Sequence, residues 1–453
     1  MFTSEIRSDK GYGNKNGERS VFKKIIAALS VFVVTALSLA CFSSCKKEKY
    51  VYDLSMKTDA FKILQLTDLH FINSQITGDG SVKGDYTLRD EWVQTAVTEI
   101  VEKADPDMIV VTGDIVFTTS TIKSITGTND NYEAFKKAAR FIDGFGIPWA
   151  FVFGNHDEEG SLLQSTGSKE KTKKVLGEYL MSKEIRNCLF SGGPEEINGY
   201  GNYVINVRNK DKSVHTSLVF FDSGSCLTVY DESKKRYVTG MWNYEYVHDD
   251  QLDWYEETLQ SIFKKEGKTV PSIVFQHIPL PVYQTALDAY MKALEEKGEA
   301  WKATINANWE YGREYTLDTE IGPVTYYGGV CNKEDQEVCH SFVGRFGGVE
   351  FDGGHEFERI LALGSTKHVF CGHDHRNTFS FSYQGVRLTY GMSVDYSAVG
   401  LVSFYPNQNI YDETEQRGGT LITLKKDGDT EVSQVPFTRN LYRETLAARN
   451  AEE

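Results

Sequence analysis

Short apolar segments that each end in polar side chains are the feature that most restricts the folds open to this chain. Phe61–Thr67, Met108–Thr112 and Pro148–Phe153 have the length and apolar character of buried strands, and the amphipathic segments Leu88–Lys103 and Tyr132–Phe145 separate them. Strands that alternate with helices in this way form a largely parallel sheet. We therefore predict an α/β fold that binds its ligands at the carboxyl ends of the strands.

The polar side chains at these strand ends are of the types that bind metal ions. Two further apolar segments, Ser272–Gln276 and Lys367–Cys371, end in the same way. The five clusters are Asp68-Leu69-His70, Gly113-Asp114, Gly154-Asn155-His156-Asp157, His277 and Gly372-His373-Asp374-His375. Because strand ends in such a sheet meet at one edge, we expect these side chains to share a site.

The number and chemistry of these candidate ligands indicate two metal ions rather than one. Carboxylates, imidazoles and an amide suit hard and borderline ions such as Mn, Fe or Zn, and the lack of cysteine among them argues against a structural zinc site. Two ions roughly 3.5–4 Å apart stabilise an in-line displacement at phosphorus. They also lower the pKa of a bound water, which supplies the nucleophile near neutral pH.

The order of the five clusters resembles the calcineurin-like metallophosphoesterase superfamily, and the similarity extends from Phe61 to Tyr390. The sequences around Asp68 and His373 are most similar to its purple acid phosphatase-like branch. The resemblance implies a four-layer α/β/β/α sandwich of two mixed sheets, with a dinuclear metal site at the C-terminal ends of the strands. It also implies hydrolysis of phosphate esters, and we expect a phosphomonoesterase. The alternatives are a phosphodiesterase for cyclic nucleotides or lipid head groups, and a non-catalytic lipoprotein that binds a phosphorylated ligand.

The resemblance also implies a role for each site residue. The expected ligands are Asp68, His70 and His375 for the first metal, Asn155, His277 and His373 for the second, and Asp114 as the bridge. His156 is expected to protonate the leaving oxygen, with Asp157 as its orienting partner. Arg376 and Asn377 are expected to contact the substrate, and a structural salt bridge is the alternative for Arg376.

One position departs from the true purple acid phosphatases that the chain resembles. Those enzymes have a metal-binding tyrosine three residues after the Gly-Asp aspartate, where this chain has Phe117. His70, in turn, occupies a position at which those enzymes lack a histidine. Because phenylalanine cannot bind a metal ion, we predict that the iron-loaded protein lacks a tyrosinate charge-transfer band.

The N-terminal residues 1–45 have the pattern of a bacterial lipoprotein signal peptide. Lys23 and Lys24 precede the apolar run Ile25–Phe42, and Cys45 follows as the expected lipidated residue, with Cys41 as the alternative. An uncleaved membrane anchor is the other interpretation, since such a run is long enough to span a bilayer. Both interpretations predict export to the cell envelope, either periplasmic or at the cell surface.

The rest of the chain divides into a polar tether (46–60), a metallophosphoesterase domain (61–440) and a polar C-terminal tail (441–453). Residues 300–357 lack a clear period, and we expect them to be an insertion near the active site. The formal net charge of −15 argues against a nucleic-acid-binding surface, which would need a basic face. The expected partners are therefore a phosphorylated small molecule or protein and, through the lipid anchor, the membrane.

Overall fold

The computed structural model describes residues 50–73, 87–118, 128, 130–299, 312, 314–331, 338–397 and 417–452. The predicted signal peptide and Cys45 lie outside these residues. Among the residues described, no helix is both long and apolar enough to cross a membrane.

Strands and helices alternate through the first half of the chain, as the apolar pattern predicts. The strands are β1 Val51–Ser55, β2 Ala60–Leu66, β3 Met108–Thr112, β4 Trp149–Val152, β5 Tyr203–Arg208, β6 Val214–Phe220, β7 Cys226–Asp231, β8 Arg236–Tyr244, β9 Ser272–Phe275, β10 Tyr315–Thr319, β11 Gly322–Gly328, β12 Val343–Phe346, β13 Val349–Asp352, β14 Thr366–Cys371, β15 Ser380–Tyr383, β16 Val386–Tyr390, β17 Gly418–Lys425 and β18 Thr430–Pro436. The helices are α1 Thr87–Ala104, α2 Asn131–Asp143, α3 Gly160–Thr166, α4 Lys169–Leu180, α5 Asp249–Glu266, α6 Val282–Glu296, α7 Glu356–Leu363 and α8 Leu441–Glu452.

A five-stranded mixed sheet carries the first three polar clusters. Its strand order is β18-β17-β2-β3-β4. Strands β2, β3 and β4 are parallel, whereas β17 pairs antiparallel with both β2 and β18. The carboxyl ends of the three parallel strands therefore lie side by side, and Asp68, Asp114 and Asn155 follow them directly.

A nine-stranded mixed sheet carries the remaining clusters, in the order β1-β5-β6-β9-β14-β16-β15-β11-β10. Its centre is parallel, because β9 pairs in parallel with both β6 and β14, and β14 pairs in parallel with β16. His277 follows β9, and His373 and His375 follow β14. The carboxyl ends of the sheets meet, since Thr67 after β2 forms a parallel bridge with Ser393 after β16.

Alternating side chains place the nine-stranded sheet between two hydrophobic layers. On β6, Leu218 and Phe220 pack in a core shared with the five-stranded sheet and helices α1 and α2. Val219 points to the opposite face and packs in a second core with Leu252 of α5 and Tyr283 of α6. This arrangement, with helices outside two mixed sheets, confirms the predicted fold class.

Three segments differ from the sequence expectation. Part of the predicted tether forms β1, which pairs in parallel with β5 from Val51 to Ser55. Residues 300–357 contain β10 and β11, and these strands extend the nine-stranded sheet. The predicted polar tail contains α8, where Tyr442 lies against Trp92 with 6.4 Å between ring centroids. The contacts of β1 with β5, of β11 with β15 and of Tyr442 with Trp92 join segments that are far apart in sequence, so local composition does not reveal them.

Candidate metal centre

Left-handed backbone conformations turn four of the predicted ligands into the site. The φ angles are +52° at Asp68, +52° at His70, +49° at Asp114 and +77° at His373. Residues other than glycine avoid this region, and each such conformation costs about 1–3 kcal/mol. The surrounding contacts must therefore hold the three loops that carry these residues in place, as is common where a site is preorganised.

Two motif glycines allow the ligand loops to approach one another closely. A Cβ atom on Gly154 would overlap the carboxylate and backbone of Asp114. A Cβ atom on Gly372 would overlap the Thr67 hydroxyl and crowd the Asp68 carboxylate. Close packing of the loops therefore requires glycine at both positions, which accounts for the glycine that opens each of these motifs.

The first ligand cluster contains Asp68, His70, Asp114 and His375. One donor atom from each residue lies within 4.8 Å of the donor atoms of the others. His375 Nε2 is 3.4 Å from Asp68 Oδ1, and His70 Nε2 is 3.6 Å from Asp114 Oδ2. The structure thus brings together the residues expected to hold the first metal, along with the expected bridge.

The second ligand cluster is arranged around His277 Nε2. This atom lies 3.3 Å from Asp114 Oδ2, 3.3 Å from His373 Nδ1 and 3.2 Å from Asn155 Oδ1. Asp114, His277 and His373 also meet the 4.8 Å criterion as a group. Since Asp114 Oδ2 approaches ligands of both clusters, Asp114 is the residue positioned to bridge two ions.

The donor atoms fit metal ions in their chemistry and their spacing. Asp68 Oδ1, His70 Nε2 and Asp114 Oδ2 are buried and have no hydrogen-bond partner in the described part of the protein. Such buried polar atoms are costly unless something else binds them. Donors at 2.0–2.2 Å from a tetrahedral ion lie roughly 3.4 Å apart; neighbouring donors here are separated by 3.2 to 3.6 Å, and all donors within each cluster identified by the 4.8 Å criterion lie within that distance of one another.

The electrostatics of the cluster also favour bound cations. Burial lowers the pKa of His70, but Asp395 and Asp114 outweigh burial and raise that pKa to about 10. Burial also lowers the pKa of His277, but the nearby Asp114 outweighs burial and raises that pKa to about 9. Carboxylates therefore hold protons on these imidazoles in the absence of metal. Metal ions would displace those protons, because a ligating histidine must be neutral.

Neighbouring oxygens orient two of the ligating imidazoles. His277 Nδ1 lies 2.8 Å from the Thr112 carbonyl oxygen, and His70 Nδ1 lies 2.9 Å from Asp395 Oδ1. An Nδ1–H that donates to these oxygens leaves the Nε2 lone pair of each ring directed at the ligand cluster. Asp395 Oδ2 is also 3.6 Å from His375 Nδ1, so this carboxylate supports two ligands of the first cluster.

Asp395 is a site residue that the sequence motifs do not identify. It lies shortly after β16, which pairs antiparallel with β15 as a hairpin and in parallel with β14. The parallel pairing with β14 is not evident in the sequence. A carboxylate close to a strand end is the signal that would have found Asp395.

His156 lies beside both clusters without belonging to either. Its backbone N–H donates to Asp114 Oδ1 at 2.8 Å, and its ring is 5.7 Å from the His70 ring. Its side chain is 26% exposed, unlike the fully buried His70 and His277. Burial lowers the pKa of His156, but Asp114 and Glu159 raise it overall. A partly open, readily protonated imidazole is suited to proton donation.

The structure corrects the expected pairing of Asp157 with His156. The Asp157 carboxylate instead accepts hydrogen bonds from the backbone N–H groups of Gly154 (2.8 Å), Asp114 (3.0 Å) and Val116 (3.2 Å). Asp157 therefore fastens the Asp114 loop to the Asn155 loop. Glu159 contacts the His156 ring, with 3.2 Å between Glu159 Oε2 and His156 Nδ1.

The two expected substrate contacts differ in their surroundings. Asn377 is fully buried, and its side chain donates to Asp374 Oδ2 at 2.6 Å. This bond stabilises the loop after β14, which corrects the expected substrate role of Asn377. Burial raises the pKa of Asp374 to about 6, and the nearby Arg376 opposes this rise. Arg376 is only partly buried, and its contact with substrate stays a prediction.

Phe117 packs against both the first metal cluster and the candidate acid. Its ring centroid lies 5.1 Å from that of His70 and 5.0 Å from that of His156. The resemblance implies that this apolar ring takes the position at which purple acid phosphatases have a ligating phenol. Phe117, the residue that departs from the purple acid phosphatase pattern, therefore lies next to the first metal cluster.

Two mixed sheets with carboxylate, imidazole and amide ligands at their joined strand ends define a dinuclear metallophosphoesterase. The chain belongs to the calcineurin-like phosphoesterase family, whose model matches residues 61–377. This match confirms the resemblance stated from the strand-end motifs.

Similar proteins occur in plants, yeast and fish. "Probable inactive purple acid phosphatase 28" of Arabidopsis thaliana is 24% identical over 361 residues, which cover 79% of this chain and 76% of that protein. "Phosphatase DCR2" of Saccharomyces cerevisiae is 31% identical over 237 residues, or 49% of this chain and 35% of that protein. A solved dimetal phosphatase from Danio rerio aligns over 83% of this chain and 96% of its own, with a TM-score of 0.40 and 12% identity.

Proposed function

We propose that this protein is an active metal-dependent phosphomonoesterase that works outside the cytoplasm. The observation that carries the proposal is the position of Asp114. Its Oδ2 lies 3.3 Å from His277 Nε2 in one cluster and 3.6 Å from His70 Nε2 in the other. A carboxylate shared in this way suits a pair of ions, and paired ions favour displacement at phosphorus.

The ligands would hold two ions as the clusters indicate. The first set is Asp68, His70 and His375, the second is Asn155, His277 and His373, and Asp114 joins them. Bound ions would neutralise charge on the phosphoryl group and activate a water molecule as nucleophile. The donor set accepts Mn, Fe or Zn.

His156 supplies the proton in the proposed reaction. Glu159 Oε2 lies 3.2 Å from its Nδ1, which leaves Nε2 as the atom to donate to the leaving oxygen. The backbone bond from His156 to Asp114 Oδ1 holds this residue next to the bridging carboxylate. Proton donation by a positioned side chain contributes typically about 10²–10⁴-fold to rate.

Phosphatase activity is supported by the names of the relatives, "Probable inactive purple acid phosphatase 28" and "Phosphatase DCR2". The word "inactive" in the plant protein's name belongs to that protein. This chain keeps a carboxylate, imidazole or amide at each of the seven ligand positions, together with His156 as the acid. That full set supports turnover rather than binding alone.

The location that we propose rests on the N-terminal sequence, with Cys45 as the lipidated residue. Labelling with a radioactive fatty acid should mark the wild type and Cys41→Ser but not Cys45→Ser, because only the lipidated cysteine carries the acyl chains. Label in Cys45→Ser and none in Cys41→Ser would transfer the assignment to Cys41. Absence of label from a membrane-bound wild type would favour the uncleaved anchor.

The test of the reaction compares two esters in one assay. The purified protein is loaded with manganese, iron or zinc and given p-nitrophenyl phosphate or bis-p-nitrophenyl phosphate. Faster cleavage of the monoester is the expected result. Faster cleavage of the diester would replace the proposal with a phosphodiesterase, and two bound metals without turnover of either would favour a phospho-ligand-binding protein.

A further inference from the structure

A buried ion triad of Lys173, Glu158 and Asp222 lies next to the loop that carries His156. Lys173 Nζ is 2.8 Å from Asp222 Oδ1, 2.9 Å from Asp222 Oδ2 and 3.0 Å from Glu158 Oε2. The exposed fractions of the side chains are 7% for Lys173 and 1% for each carboxylate. None of these residues belongs to the metal clusters or to the proton donor.

Each carboxylate of the triad leads to a different part of the active site. Glu158 is two residues after His156 in the chain. Asp222 precedes Ser223, whose hydroxyl accepts hydrogen bonds from the backbone N–H groups of His277 (3.3 Å) and Ile278 (2.9 Å). Lys173 therefore links the loop of the candidate acid to the loop that supports a ligand of the second metal cluster.

Helix α4, which is anchored in the hydrophobic core, holds Lys173 in position. Lys173 lies in its first half, and Leu176, Tyr179 and Leu180 of the same helix are buried in the core shared by the two sheets. One turn earlier, Lys169 Nζ lies 3.4 Å from Glu158 Oε1 and donates to the Cys226 carbonyl oxygen at 2.7 Å. Two lysines of one helix thus hold the Glu158 carboxylate.

Stability alone is a poor explanation for such a triad. Replacing a buried ion pair with apolar side chains of similar volume is often neutral or stabilising, because desolvation offsets the attraction. What the triad supplies is a defined distance between two loops that are far apart in sequence. That distance matters where a proton donor must face a leaving group held by metal ions.

We propose that Lys173 is a positioning residue, which sets the His156 loop relative to His277 so that the acid reaches the leaving oxygen. This inference rests on the proposed phosphatase function. It predicts that loss of Lys173 impairs proton donation more than it impairs metal binding. Esters whose leaving group needs protonation should therefore be the most affected.

The test compares Lys173→Met with wild type on two monoesters of the metal-loaded, full-length protein. p-Nitrophenyl phosphate has a leaving group that departs with little protonation, whereas glycerol phosphate has an alkoxide that needs a proton. We expect kcat for glycerol phosphate to fall at least about tenfold more than kcat for p-nitrophenyl phosphate. Bound metal should stay at the wild-type level, and Lys173→Arg, which keeps the charge, should recover part of the loss.

Arg359→Met is the matched control. Arg359 pairs with Glu256 and Asp253 between α7 and α5, two helices whose apolar residues pack in the second core. It should leave the ratio of the two kcat values unchanged. If Lys173→Met does not fold, Glu158→Gln provides the same comparison, because it leaves the bonds between Lys173 and Asp222 in place.

The outcomes separate this inference from the function on which it rests. A wild-type protein that cleaves neither monoester contradicts the phosphatase proposal itself. An active wild type with equal losses on both esters, or with metal loss in Lys173→Met, contradicts the positioning role and leaves the phosphatase proposal standing.

Discussion

Asp114 and His156 lie next to each other but have different proposed roles, metal binding and proton donation. The surroundings of their side-chain atoms explain this difference. Asp114 Oδ2 is buried among ligand atoms of both clusters, whereas its Oδ1 accepts the His156 backbone N–H. The His156 ring faces Glu159 and is partly exposed. Removing one residue should therefore affect metal binding, and removing the other should affect turnover.

We expect Asp114→Asn to lose bound metal and activity together, because an amide lacks the charge that holds two cations. We expect His156→Ala to keep both metals and to lose about 10²–10⁴-fold in kcat on a substrate with a poor leaving group. Elemental analysis of the purified variants, beside steady-state kinetics, measures both effects. An empty metal site in His156→Ala would refute this division of roles.

Phe117 allows a spectroscopic prediction. Its ring packs against His70, so Phe117→Tyr places a phenol beside the first metal cluster. We expect the iron-loaded variant to gain a visible charge-transfer band that wild type and Phe117→Leu lack. A strong band in iron-loaded wild type would show that another tyrosine binds the metal, and would overturn the ligand assignment.

At the scale of the elements, Gly154, in the loop after β4, decides whether two ligand loops fit together. A Cβ atom at Gly154 would overlap Asp114, which is itself tied to Gly154 through Asp157. We expect Gly154→Ala to lower metal content and activity even where the protein folds. Gly267→Ala at the end of α5 is the control, since its Cβ would meet nothing within 4 Å.

Gly267→Ala should lower the free energy of unfolding by only about 1 kcal/mol, because Gly267 has a left-handed backbone conformation that is unfavourable for alanine. Its metal content should match wild type. Metal retention in Gly154→Ala at wild-type levels would mean that the loops adjust around the added methyl group, and that close packing does not determine the site.

Helix α7 begins with a buried carboxylate whose ionisation should make stability depend on pH. Glu356 is 3% exposed, and burial raises its pKa to about 8. The unfolded value is about 4.3, so between these values the folded state binds the proton more tightly. This contribution to stability is fully present below the unfolded pKa and is lost as the pH rises through about 8.

We therefore expect Glu356→Gln to gain stability relative to wild type as the pH increases. Urea unfolding at about pH 5.5 and about pH 9 should show a larger benefit at the higher pH. Glu358→Gln, an exposed neighbour on the same helix, should show no such trend. Parallel pH profiles for wild type and Glu356→Gln would mean that Glu356 is not held neutral.

At the scale of the whole molecule, the features that can be predicted from the sequence are those determined by residues close together in the chain. The parallel strands β2, β3 and β4, the family and the proposed ligands all depend on motifs a few residues long. Asp395 and Lys173 gain their roles from partners that are distant in sequence, as when β16 lies parallel to β14 and Lys173 meets Asp222. The edge strand β1 is hidden for the same reason, because its partner β5 lies some 150 residues away.

The joining of the two sheets at the metal centre leads to the last prediction. Asp68, Asp114 and Asn155 follow strands of the five-stranded sheet, whereas His277, His373 and His375 follow strands of the nine-stranded sheet. Direct bonds cross the junction near the site, for example from Gln65 Nε2 to the Cys371 carbonyl oxygen at 3.0 Å and from the His373 backbone N–H to Asp68 Oδ2 at 3.1 Å. Bound metal ions would add further connections between the two halves of the fold.

Removing the metals should thus lower the stability of the whole domain rather than of a single loop. A ligand at a hundred times its Kd stabilises the folded state by about 2.7 kcal/mol. We expect Tm to fall on treatment with a chelator and to rise with the concentration of free metal. Asp114→Asn should lack this response, because it loses the bridge. An unchanged Tm after complete metal removal would show that the two sheets hold together through their shared core alone.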